Sequence, residues 1–64
     1  MIEYGKRLVR LRGEKSQSEV AKGVGISTSA LAMYETQTRM PRDSIKIAIA
    51  NYFGCTVQSI FFDQ

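Results

Sequence analysis

Apolar residues in this 64-residue chain come in short bursts spaced three and four apart, with polar or glycine-containing breaks between them. Such spacing is that of one face of an α-helix. The first burst, Tyr4, Leu8 and Leu11 with Ile2 ahead of it, predicts a helix over residues 2–13. Lys6, Arg7, Arg10 and Arg12 fall mostly between the apolar positions; Gly5 weakens the helix and Gly13 marks its end. After the short link Glu14-Lys15, Ser16 can cap a second helix and Glu19 can complete a capping box. Val20, Ala21 and Val24 are its apolar residues, and Gly25 turns the chain. Ser27 caps a third helix that carries Ala30, Leu31 and Tyr34 inward. Helices this short do not persist alone, so the rest of the chain must hold the pair up.

Beyond Glu35, Pro41 interrupts the pattern and drives Met40 towards an extended backbone, where Met40 is expected to plug the core. A fourth helix starts at Arg42 or Asp43, with Asp43 the better cap by chemistry. It runs to about Phe53 on a stripe of Ile45, Ile49, Ala50 and Phe53, with Ile47 and Tyr52 beside it. Gly54 ends it, and Thr56 caps a last helix from Val57 to Phe61 or Phe62. Ile60, Phe61 and Phe62 in succession exceed what one turn buries on one face. The surplus is expected over helix one or in a subunit contact. The pattern therefore predicts an all-α, five-helix domain spanning residues 1–64.

Composition narrows what holds this fold and what it can do. Cys55 is the only cysteine and histidine is absent, which excludes a disulfide framework and a zinc site built on those residues. No cofactor is expected. With 44 % of residues hydrophobic, apolar packing must carry the fold. The apolar segment from Ile45 to Phe53 contains Lys46 and Asn51 and is too short to cross a bilayer, and nothing resembles a signal peptide. A soluble cytoplasmic protein is the expectation. No pairing of base and nucleophile is apparent among Glu3, Glu14, Glu19, Glu35, Asp43, Asp63 and Cys55, so no enzymatic activity is expected.

Net charge is +3, and its distribution says more than its size. Lys6, Arg7, Arg10, Arg12 and Lys15 precede the helix pair, and Arg39, Arg42 and Lys46 follow it, while the pair itself is nearly neutral. Phosphate-seeking side chains thus flank the pair. On the third helix the inward set leaves Thr28, Ser29, Ala32 and Met33 on the outer face, without a charge among them. A merely solvated helix face is normally rich in Lys and Glu. Hydroxyls and small apolar groups fit a surface that approaches something closely. Thr28 and Ser29 can exchange hydrogen bonds with base edges, and Ala32 and Met33 can touch thymine methyl groups. A protein partner would suit the same face.

The string Gln17-x-Glu19-Val20-Ala21, Gly25-Ile26-Ser27, Leu31 and Tyr34-Glu35, followed by Pro41, Ile49-Ala50 and Gly54-x-Thr56-Val57, resembles the Cro/C1-type helix-turn-helix (XRE) family of phage and bacterial repressors. The resemblance covers essentially the whole chain. It implies a lambda-repressor-like domain with the helix-turn-helix at helices two and three. Helix three would lie in the major groove of double-stranded DNA, usually as part of a dimer on a palindromic operator. Thr28, Ser29, Ala32 and Met33 would then face bases. Gln17, Ser27, Arg39, Arg42 and Lys46 would face phosphates, and Arg12 would pair with Glu35. A homodimer through Tyr52 and Val57 to Phe62 is expected, with a regulatory protein as a further partner. The alternative is an interaction or antitoxin-like module using this fold on another protein. The chain departs from the common family form in its short link at 14–15, in Gly23 inside helix two, and in Thr36-Gln37 where a glycine-containing turn is frequent.

Overall fold

A computed structural model describes residues 3–62, and the expected contribution of Ile2 lies outside that range. Five helices follow in order: α1 (Tyr4–Arg12), α2 (Gln17–Val24), α3 (Thr28–Glu35), α4 (Asp43–Phe53) and α5 (Val57–Phe61). Helix α3 packs on α1 and α2, α4 on α2 and α5, and α5 returns to α1.

Local chemistry sets most of the helix ends. The hydroxyls of Ser16, Ser27 and Thr56 each accept the backbone N–H three residues on, from Glu19, Ala30 and Ser59. Gly25 closes α2 at φ 93°, and both its N–H and that of Ile26 donate to the Ala21 carbonyl. This turn is what lets α2 and α3 diverge within three residues. Helix α4 begins at Asp43, one of the two expected starts, but Asp43 is not its cap. Arg42, extended at φ −69° and ψ 166°, is the cap residue and supplies no side-chain cap bond. Asp43 becomes the first helical residue, where its negative charge complements the helix dipole instead.

Two apolar clusters make the core. Val20, Ala21 and Leu31 close the α2–α3 angle. Tyr4, Leu8, Tyr34, Ile49, Ala50, Ile60 and Phe61 form the larger cluster, and Val24, Ile26 and Phe53 pack against both. Each fully buried aliphatic contributes about 1.5–3 kcal/mol, which is how two marginal helices are held. Phe61 lies against Tyr4 of α1 with ring centroids 5.5 Å apart, while Phe62 stays outside at 55 % exposure. Leu11 is also exposed: it borders an open groove between α1 and the five-residue α5, which is too short to cover it. Met40 is not the plug. It is 51 % exposed, and its neighbour Pro41 is fully buried in its place.

Two glycines that propensity alone marks as weak points sit where another element comes too close for a Cβ to fit without something moving. A Cβ on Gly5 would collide with the backbone carbonyl of Glu35, so α1 crosses the end of α3 at a distance only glycine permits. A Cβ on Gly23 would collide with the ring of Tyr52, which lies against α2 there. Alanine at position 23 improves helix propensity by about 1 kcal/mol but takes the space that α4 uses to dock on α2.

Candidate nucleic-acid interface

The start of α2 meets the end of α3, where Gln17 bonds to Glu35, and the turn after α3 leads on from that point. Thr28 and Ser29 are exposed in the first turn of α3, directly after the Ser27 cap, and Ala32 and Met33 are half-buried one turn later. On the opposite side of the helix Leu31 and Tyr34 are buried. The outer face is therefore a strip of two hydroxyls, a methyl and a thioether.

Behind this strip stands a polar junction of three helices. Arg12 of α1 donates from Nε to Glu35 Oε2 at 2.8 Å and from Nη2 to Glu35 Oε1 at 3.2 Å. A third donor reaches the same carboxylate: Gln17 Nε2, at the first position of α2, lies 2.8 Å from Oε1. Arg12 Nη1 also donates to the Lys15 carbonyl at 2.9 Å, tying in the short link. Hydrogen bonding to Glu35 raises the Arg12 pKa above its ordinary value; burial works against this, and charge attraction to Glu35 adds to it. These bonds lock the end of α1, the start of α2 and the end of α3 together. Position 17 was expected at a phosphate; one N–H of its amide donates to Glu35, which leaves the second amide N–H and the uncapped backbone N–H groups at the very start of α2 for an outward partner.

The segment after α3 is a tight turn despite having no glycine. Gln37 adopts φ 59°, the left-handed region, and the Thr38 N–H donates to the Met33 carbonyl at 2.9 Å. Two bonds fasten this turn to the start of α1. The Gly5 N–H donates to Gln37 Oε1 at 3.1 Å, and the Tyr4 hydroxyl donates to the Arg39 carbonyl at 3.1 Å. Burial raises the Tyr4 pKa, which favours the neutral phenol that makes this bond. The sequence marks Thr36-Gln37 only as a departure from a glycine-containing turn; the partner of Gln37 is 32 residues away.

A model of the helix-turn-helix family HTH_3 matches residues 2–60. The chain belongs to the helix-turn-helix family. No curated protein and no solved structure matches it. Membership associates the chain with DNA-binding transcription regulation in general, with DNA as the partner class.

In this helix-turn-helix domain the expected phosphate-facing residues do not form one set. Ser27, Arg39 and Arg42 are exposed. Arg39 and Arg42 border a cleft between α3 and α4, together with Tyr34, Met40, Ser44 and Ile45. Lys46 is elsewhere and corrects the expectation: it is buried at 8 % exposure. Its Nζ sits 5.8 Å from the Phe61 ring centre, 5.0 Å from that of Phe62 and 3.8 Å from Asp43 Oδ1. One turn into α4, position 46 points at α5 rather than along the helix pair, and the two rings hold the ammonium by cation–π attraction. Lys15, in the short link, is exposed but also lies against a ring: its Nζ is 5.2 Å from the Tyr52 ring centre and 3.4 Å from the Tyr52 hydroxyl.

Proposed function

We propose that this chain is a Cro/C1-type, lambda-repressor-like DNA-binding domain and a sequence-specific transcriptional regulator. Most simply it is a repressor that occludes a promoter by laying α3 in the major groove of an inverted-repeat operator. One observation carries this reading: α3 presents an uncharged strip, exposed at Thr28 and Ser29 and half-buried at Ala32 and Met33, with exposed arginines in the segment that follows α3 and a three-helix junction at its end. Thr28, Ser29, Ala32 and Met33 face base edges. Ser27, Arg39, Arg42 and the N-terminal N–H groups of α2 at Gln17 meet phosphates. The strip has no Arg, Asn or Gln able to make a bidentate base contact, so discrimination per base pair is modest. Groove shape, bridging water and half-site spacing contribute the rest. The domain acts without catalysis or cofactor, in the cytoplasm.

Dimerisation is part of the same reading. Ile47 at 53 % and Phe62 at 55 % exposure border a groove with Val57 on the α4–α5 side. Covering these side chains with a second copy would relieve that exposure, and a two-fold dimer of this kind is what an inverted-repeat operator requires.

Selection from random duplexes tests the proposal. The expected product is an inverted repeat with half-sites about one helical turn apart. Thr28→Ala with Ser29→Ala should relax the selected sequence, whereas Arg39→Ala should weaken all duplexes together and lower the salt slope by about one. Recovery of no site at low salt would overturn the proposal in favour of a protein-binding module.

A further inference from the structure

We infer that Tyr4 and Gln37 are positioning residues for DNA binding: together they clamp the turn after α3 onto the start of α1 and so set where Arg39 meets the duplex. The inference rests on the proposed phosphate contact of Arg39.

Three observations converge on this clamp. Helix α1 lacks a cap of its own, since Glu3 makes no side-chain cap bond. One of its free first-turn donors, the Gly5 N–H, is satisfied by Gln37 Oε1 from the turn. In the other direction Tyr4, 6 % exposed and held by Phe61, gives its hydroxyl proton to the Arg39 carbonyl. Each element thus supplies what the other lacks. Gln37 is also the only non-glycine residue with positive φ among the described residues. A backbone state disfavoured for glutamine persists where surrounding bonds hold it, and the side-chain bond to Gly5 is such a hold. Gly5 itself, which admits no Cβ against the Glu35 carbonyl, keeps α1 close enough for both bonds. Arg39 has an exposed side chain on a segment outside any helix, and two backbone bonds set the reach of its guanidinium: its N–H donates to the Met33 carbonyl at 3.4 Å, and its carbonyl accepts from Tyr4 at 3.1 Å, the bond that ties it to α1.

The test uses the whole chain and its selected duplex, with Tyr4→Phe, Gln37→Gly, Arg39→Ala and the doubles with Arg39→Ala. Tyr4→Phe removes only the hydroxyl. Gln37→Gly removes the cap while easing the left-handed backbone, so both variants keep the fold, which thermal melting verifies. Each is expected to weaken the duplex about three- to tenfold, with a salt slope falling towards that of Arg39→Ala. In the Arg39→Ala background neither should weaken binding further, because they act through that side chain. Unchanged affinity in both single variants, or losses that simply add to that of Arg39→Ala, would overturn the inference while leaving the proposed function standing. Failure of the wild-type chain to select any duplex would overturn both.

Discussion

Arg12 and Glu35 meet side by side across the α1–α3 contact, and the carboxylate side chain is only 5 % exposed. Gln17 shares that carboxylate, so the pair is a junction of three helices rather than a surface ion pair. Pairs of this kind add little over a well-packed apolar substitute, but breaking one side strands a buried charge.

Arg12→Ala is therefore expected to destabilise the fold by about 3 kcal/mol. The joint replacement Arg12→Met with Glu35→Leu should cost much less. Urea midpoints at unchanged m-value measure both. A single-variant loss no larger than that of the double would mean the carboxylate is not stranded.

The two close-approach glycines should respond differently to alanine. At Gly5 the obstacle is the backbone of Glu35, which cannot swing away, so Gly5→Ala should cost about 3 kcal/mol as α1 is pushed off α3. At Gly23 the obstacle is the Tyr52 ring, which can rotate at the expense of its contacts with Lys15 and Phe53. Gly23→Ala should be mildly destabilising in the wild type. In a Tyr52→Ala background the same change should stabilise by about 1 kcal/mol, as propensity alone requires. Absence of that reversal in denaturation curves would show that the ring is not what position 23 accommodates.

Alkaline stability should depend on Tyr4. Burial raises its pKa, so the unfolded chain loses the phenolic proton at lower pH than the folded one. The contribution is fully present below the unfolded value of about 10 and is lost as pH rises through the folded value. Stability of the wild type minus that of Tyr4→Phe should accordingly be flat from neutral pH to about 9.5 and fall above it. A difference independent of pH up to 11 would contradict this assignment.

Arg42 and Lys46 separate two ways of being basic near a duplex. Arg42 is exposed beside the cleft, while Lys46 is enclosed by Phe61, Phe62 and Asp43. Arg42→Ala should lower the salt slope of duplex binding by about one, and Lys46→Met should leave it unchanged. Titration of binding against salt for the two variants decides, and equal slopes would mean that the ammonium is released when DNA binds.

The sequence by itself determined the helices and the two-sidedness of α3. Caps and periodicity are local, acting over three or four residues, so Ser16, Ser27, Gly25 and Thr56 could be read as helix ends without knowing what lies across from them. The uncharged strip at Thr28, Ser29, Ala32 and Met33 follows from the same periodicity. Only the tertiary structure decided which weak-looking positions are necessary and which charges are free. Gly5 and Gly23 read as propensity defects until Glu35 and Tyr52 are brought against them, because the space an absent Cβ leaves has meaning only when another element fills it. Lys46 and Arg42 carry the same charge four residues apart, and only the return of α5 buries one of them. The side-chain partners of Gln17 and Gln37 are likewise not legible in the sequence. What gives each its place is a partner 18 or 32 residues away, at a separation where spacing along the chain carries no directional information.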